Sequence, residues 1–344
     1  MSVAPIPFAT LWNDAPNEIK VAILKQASVD TLKSLLPFNQ LRRFARRALR
    51  ERVNDIIEDF HLDPALVLKM MDTTGTIISG SAALQAVSPR LNWKAGDVDF
   101  YCGVDVIDAV LLCFKRQSYE VVNTHPAPYA YKKFYTFGAR NALPSNFEAR
   151  FRANSCIENV FTLSHTPSAL TINVIQSRSP ASATPLAFFH STLVMNFVSA
   201  GGVACAYPDL TLNSLGLMNF QSMPPVQHVH IRDVRAVDKY QSRGYLFVQG
   251  DEHDVTVDGI ERGRTWDDPF TIKMCFRKHL KVLTGPNSTI SWRTSFREYY
   301  NWGFREHAPE VLVEEDGRVV CYRNWVGPAS LTMVSPPARA RRIA

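Results

Sequence analysis

The sequence predicts a mixed α+β protein: a mixed sheet flanked by helices, with an N-terminal helical cap and a C-terminal α+β region. Three observations carry that reading. Residues 8–60 place apolar side chains at helical spacing. Residues 61–220 alternate between helical and β-rich segments. Ile157–Ser164 and Leu170–Gln176 are two β-rich runs separated by Thr166-Pro-Ser168, a hairpin signal. The chain divides accordingly into a helical cap (1–60), a central α/β domain (61–220), a C-terminal α+β region (221–335) and a basic tail expected to be disordered (336–344).

The cap reads as three helices. Pro16 stands near the first helix start, with Ile19, Ala22 and Ile23 at helical spacing. Asp30–Leu36 is a short second helix ended by Pro37. Asn39 is expected to cap the third, Gln40–Phe60, with Leu41, Phe44, Ala45, Leu49, Val53 and Ile56 inward. Arg42, Arg43, Arg46, Arg47, Arg50 and Arg52 decorate it, a solvated face or a surface for nucleic acid or an acidic partner. The Pro16-x-Glu18-Ile19-x-x-x-Ile23-Leu24 opening resembles an F-box, with Ala15 where the motif has Leu. That resemblance implies binding to the adaptor subunit of a cullin-type ubiquitin ligase. Because this helical set is complete before the central motif begins, it is expected to be an appendage whose removal spares that motif.

His61–Met71 reads as a helix with Asp63-Pro64 at its start. The central stretch follows. Ile77-Ile78 end a short buried segment, and Gly80-Ser81 open a small-residue helix, Ala82–Val87. Free backbone N–H groups at that start, beside a glycine that admits close approach, suit an anion. A second run, Gly96-Asp-Val-Asp-Phe-Tyr101, carries Asp97 and Asp99 on one strand face, with Val98 and Phe100 turned to the core. Two carboxylates together call for a cation, and hard oxygen ligands suit Mg²⁺ bridging to phosphates. Further on come a helix (Val104–Gln117), a short strand (Tyr119–Asn123), a rigid turn at 125–128, a helix (Ser191–Val198) stopped by Gly201-Gly202, and a loop (Tyr207–Leu212).

Gly80-Ser81 followed by Asp97-x-Asp99 between apolar residues resembles the nucleotidyltransferase superfamily of the DNA polymerase β type. The resemblance implies that Gly80 and Ser81 grip a nucleoside triphosphate, that Asp97 and Asp99 hold Mg²⁺ (or Mn²⁺), and that a third carboxylate lies on a later strand. At that place stands Asn173, in Leu170-Thr-Ile-Asn-Val-Ile-Gln176. An amide can ligate a metal but cannot act as the base for an attacking hydroxyl. Three alternatives follow: Glu158 or Asp209 reaches the site, the second metal is lost, or nucleotide binds without turnover. The expected function is Mg²⁺-dependent transfer of a nucleoside monophosphate from a triphosphate to a hydroxyl on a nucleic acid or protein acceptor. The alternative is a degenerate transferase-fold adaptor with the F-box-like arm. Gly80→Val is expected to abolish nucleotide binding with lesser damage to folding.

The C-terminal region offers weaker signals. Residues 226–240 are expected to turn helical towards Tyr240 and to end at Gly244, and Tyr245–Val248 reads as a strand. His228-x-His230 and Asp251-Glu-His-Asp254 have metal-ligand residues but no third partner or a loop setting. Phe270–Leu283 reads as a basic helix. Trp292–Trp302 is an aromatic, Arg-containing segment that fits either core or base stacking.

Composition bounds the classes. A chain of 344 residues, 46% hydrophobic and 20% charged, is an ordinary globular sequence of one large domain or two. A net charge of +6 favours anionic partners. Six scattered cysteines without a CxxC pair, and an opening Met1-Ser-Val-Ala-Pro5 without the basic-then-apolar form of a leader, point to reduced thiols and a cytoplasmic or nuclear protein. Ser179–Pro208 has no Asp, Glu, Lys or Arg, but Pro180, Pro185, His190, Asn196 and Gly201-Gly202 break it, so buried core is expected rather than a membrane span. A Walker loop, a dinucleotide glycine fingerprint, zinc spacing and a nucleophile elbow are all missing.

Overall fold

A computed structural model describes residues 8–90, 92–126, 156–217, 231–248, 263–301, 304–315 and 318–324. Four helices open the chain: α1 (Phe8–Asp14), α2 (Asn17–Leu24), α3 (Val29–Ser34) and α4 (Asn39–Glu58). Helix α4 buries Phe44, Ala45, Ala48, Leu49, Arg52, Val53, Ile56 and Ile57, one continuous stripe at helical spacing. Asn39 begins this helix rather than capping it; Phe38 holds the cap position without a side-chain bond.

Arg52 departs from the expected solvated face. It is 5% exposed and donates to the carbonyls of Lys25 (3.1 Å), Ala27 (2.5 Å), Leu24 (3.3 Å) and Ala86 (2.6 Å). These carbonyls close the C-terminal ends of α2 and of a later helix, where the helix dipole favours a cation. Burial lowers the Arg52 pKa to about 10, so the guanidinium still carries its charge at neutral pH. The opening helices therefore share a core with the sheet. Val21, Leu32 and Leu49 belong to the same buried cluster as Val98, Phe100 and Val174. The expected appendage is thus packed into the core that carries the central motif.

Helix α5 (Pro64–Thr74) starts as its sequence dictates. Asp63 Oδ1 accepts from the N–H groups of Ala65 and Leu66, Pro64 occupies the first turn, and Gly75 ends the helix at φ 68°. Strand β1 (Ile77–Ser79) runs directly into α6 (Gly80–Val87). Then come β2 (Val98–Cys102), α7 (Ile107–Lys115), β3 (Tyr119–Pro126) and the hairpin β4 (Ile157–His165)/β5 (Thr171–Ser177). Beyond them lie β6 (Asn196–Ser199), β7 (Gly202–Cys205), the one-turn helix α8 (Pro208–Thr211), β8 (Leu215–Leu217), α9 (Ile231–Gln241), β9 (Leu246–Val248), β10 (Arg264–Thr265) and β11 (Ile272–Cys275).

Eight strands form one mixed sheet in the order β11-β7-β6-β1-β2-β5-β4-β3. The pair β2/β5 is parallel, and every other neighbour in this sheet is antiparallel. The sheet is covered on both faces, and alternation along the strands sorts the residues. Ile78, Val98, Phe100, Ile172, Val174 and Val198 face the helical layer. Ile77, Tyr101, Ile175, Phe197 and Ala204 face a second core built largely from 181–210 with Trp266 and Trp292. The charge-free stretch is thus buried core, as expected. Among the described residues no helix is long and apolar enough to cross a membrane.

Five segments differ from their sequence reading. His125 and Pro126, read as the start of a rigid turn, extend β3 and pair with Val160 and Asn159. Residues 191–198 are a short turn of 3-10 helix and β6, not one helix. Gly201-Gly202 turn the β6/β7 hairpin instead of stopping a helix. A Cβ at Gly201 would lie 1.9 Å from the Lys281 carbonyl oxygen, and one at Gly202 2.2 Å from that of Met274. Residues 270–283 contain β11 rather than a basic helix. Met274 turns inward while Lys273 pairs with Asp267, and β7 gains an antiparallel neighbour. Residues 208–211 are helical, not loop. Residues 292–301 of the aromatic segment lie in β12 (Ser291–Asn301), which pairs with β10 and β13 (Phe304–Glu315), and Trp302 is outside the described residues; β14 (Arg318–Asn324) completes that four-stranded sheet. Trp292 is core: its Nε1 donates to the Tyr207 hydroxyl at 3.1 Å. His228, His230, Asp251–Asp254 and the tail 336–344 lie outside the described residues.

Replacing Arg52 by Met removes donors from four buried or partly buried carbonyls but also removes a desolvated charge. Unpaired carbonyls cost more than the relieved burial returns, so a loss of about 2–4 kcal/mol is expected. Chemical denaturation of the full chain checks it. Deleting residues 1–60 should abolish cooperative unfolding.

Candidate functional site

The site begins with register. Ser79 on β1 lies opposite Asp99 on β2, Asp99 lies beside Asn173 on β5, and Asn173 lies opposite Thr162 on β4. Neighbouring strands are spaced about 4.8 Å apart, so one rung sets four polar side chains within reach of one another. The next rung on the same face is apolar: Ile77, Tyr101, Ile175 and Val160. The polar rung therefore marks the end of the core, at the edge where β1 turns into α6.

The expected residues come together there. Gly80, the first residue of α6, has φ 70°, a conformation open to glycine and rare for other residues. A Cβ on it would stand 2.9 Å from Asp99 Oδ2. Ser81, 3% exposed, donates its hydroxyl to Asp97 Oδ1 at 3.2 Å. Val98 and Phe100 are fully buried between the two aspartates and beyond them, as the alternation requires. Gly80-Ser81 is not a conventional side-chain cap. Ser79 holds the cap position, and its hydroxyl donates to the Asn196 carbonyl at 2.6 Å. What faces the helix start is the Asp99 carboxylate, placed where the helix dipole favours an anion.

Asn173 occupies the place at which a third carboxylate was expected. Its Nδ2 donates to Asp99 Oδ1 at 2.9 Å, and its Oδ1 accepts from the Thr162 hydroxyl at 3.1 Å. The amide thus presents its donor, not its carbonyl, to the aspartate. Neither alternative carboxylate takes its place. Glu158 pairs with Arg178 at 3.0 Å, four residues along β4 from Thr162, which is about 13 Å of strand. Asp209 is exposed on α8. Among the described residues no three His, Cys, Asp or Glu side chains cluster. As a divalent-cation site, the set fits in part: two carboxylates of the hard oxygen type converge beside α6, and the third position is a hydrogen-bond donor as it stands.

Sequence reasoning missed four contributors: Lys239, Tyr240, His190 and Thr162. Lys239, on α9, reaches Asp97 Oδ1 at 3.6 Å. Tyr240, beside it, is 4% exposed; burial above all, then the fields of Asp99 and Asp97 against the lowering effect of Arg243, raises its pKa. His190 stacks on the Tyr240 ring at 6.0 Å, and its Nε2 is buried with no partner among the described residues. Burial, then Lys239, lowers the His190 pKa to about 4. Thr162 was recoverable by counting back from the hairpin turn. Nothing local in the sequence announces Lys239, which approaches from a helix more than a hundred residues away.

Comparison with protein-family models, with curated proteins and with solved structures finds no match to this chain.

Two outcomes follow from this geometry. Gly80→Ala puts a side chain at positive φ and against Asp99, so a loss of about 1–3 kcal/mol is expected, and more for Val. The strain falls on folding as well as on any ligand; melting of Gly80→Ala against wild type measures it. His190 is held neutral, with its folded pKa below the ordinary 6.5. Its contribution to stability is present above pH 6.5 and is lost as pH falls from there towards 4. Denaturation midpoints across that window should fall less steeply in His190→Phe, which removes the titrating group and keeps the ring on Tyr240.

Proposed function

We propose that the chain binds a nucleoside triphosphate with a divalent cation at the Gly80-Ser81 and Asp97/Asp99 site, as a nucleotidyltransferase-type protein whose acceptor is a hydroxyl group. The observation that supports it is the rung itself. A glycine at positive φ opens a helix, a serine follows it, and two aspartates on the adjacent strand end face that opening. Bound there, Mg²⁺ would supply charge neutralisation on the phosphates. The chain's residues would do the rest. Gly80, lacking a side chain, lets a phosphate oxygen approach the backbone of α6. The Ser81 hydroxyl can turn from Asp97 to a phosphate oxygen. Asp97 and Asp99 would hold the cation; Asp99 stands on β2 and Asp97 immediately before it, so the strand fixes its position.

Asn173 favours a second reading, nucleotide binding without turnover. A proton acceptor is wanted where the acceptor hydroxyl is deprotonated, and here an amide N–H points at Asp99. In that reading the chain is an adaptor, and Leu11, Ile19 and Ile23, about half exposed on α1 and α2, are the face offered to a ligase subunit.

Calorimetric titration of the four nucleoside triphosphates, with Mg²⁺ and with chelator, tests the site. At least one triphosphate should bind with Mg²⁺, and Asp99→Asn should weaken it by about tenfold or more, the loss of one charged ligand. Equal affinity of wild type and Asp99→Asn would sink the proposal. Release of pyrophosphate on adding candidate acceptors separates transfer from binding alone.

A further inference from the structure

Two aspartates share one strand end, yet each has a donor of its own. Asp99 takes the Asn173 amide at 2.9 Å, and the Thr162 hydroxyl holds that amide in its donor-forward orientation from the other side at 3.1 Å. Reversal would set the Asn173 carbonyl against the Asp99 carboxylate. Asp97 takes the Ser81 hydroxyl at 3.2 Å and the Lys239 ammonium at 3.6 Å. These are the groups that would satisfy the pair in the absence of a metal.

The geometry points to Lys239 as a built-in cation that holds the carboxylate site in a metal-free resting state and must leave Asp97 for a divalent ion to bind. This rests on the reading of Asp97 and Asp99 as cation ligands. The chain can make the exchange. Lys239 approaches on a flexible stem from α9 and is 38% exposed against 41% for Asp97, so the ammonium can return to water at small cost. Asp97 would be released first; Asp99 is gripped by the shorter bond of a sheet residue. The consequence is a site that answers to cation concentration. Two charges of one sign a few ångströms apart oppose each other, so Lys239 on Asp97 raises the metal concentration needed for occupancy.

The experiment titrates full-length wild type, Lys239→Met and Lys239→Arg with Mn²⁺, and separately with Mg²⁺, reading the melting temperature after chelator treatment. Lys239→Met should reach half-saturation at about five- to tenfold lower metal than wild type, the effect of removing one like charge near 4 Å in a half-exposed setting. Lys239→Arg, which keeps the charge, should titrate as wild type does. Lys239→Gln repeats the neutral substitution if the Met variant does not fold. Saturable binding with the same midpoint in wild type and neutral variant, or weaker binding in the neutral variant, overturns the inference and leaves the carboxylate site standing. No saturable metal response in any folded protein overturns both the inference and the metal part of the proposed function, and the two failures are thereby told apart.

Discussion

The whole candidate site depends on strand register at one rung. Ser79, Asp99, Asn173 and Thr162 stand side by side because β1, β2, β5 and β4 pair in the register they do. A slip of one residue in β2 would turn Asp99 into the helical core and bring Val98 or Phe100 to the site. Burial forbids the slip. Val98 and Phe100 are fully buried, and Val174 and Ile172 beside them likewise, so register follows from the apolar residues rather than from the polar ones. The chemistry-bearing side chains are carried to their places by their neighbours.

The second constraint is Arg52. A buried guanidinium with no carboxylate directly bonded to it among the described residues survives because four carbonyls accept from it, three at the end of α2 and one near the end of α6. The same bonds fix α6 from its C-terminal end while Asp99 faces its N-terminal end. The helix on which Gly80 and Ser81 sit is thus held at both termini. The opening helices therefore belong to the support of the site. This does not remove the surface on α1 and α2 where Leu11, Ile19 and Ile23 remain exposed.

Within the site, neutralisation comes from inside the chain. Serine, lysine and asparagine each bring a donor to an aspartate oxygen, and Asn173 in particular has its polarity fixed by Thr162. A third carboxylate in that position would have repelled Asp99 without a metal. The amide that stands there leaves a rung that holds together on its own hydrogen bonds.

The sequence by itself determined the α+β class, the helices of 8–58, the hairpin around Thr166-Pro-Ser168, and the juxtaposition of Gly80-Ser81 with Asp97 and Asp99. These are written in local periodicity, in turn residues and in the i, i+2 rule, which act over a few residues. Asn173 came to the third position through the resemblance, since no local rule links β5 to β2, its parallel neighbour. Tertiary structure alone decided the rest. Residues 191–198 became a turn and a strand because the sheet needed a neighbour for β1, and Ile272–Cys275 became a strand because β7 was an open edge. Arg52 lies inside a run of six arginines that reads as uniformly solvated, and only helix packing singles it out. Lys239 reaches Asp97 across 142 residues of chain. Neither contact has a period or a motif, because each is fixed by how finished elements pack and not by the residues beside it.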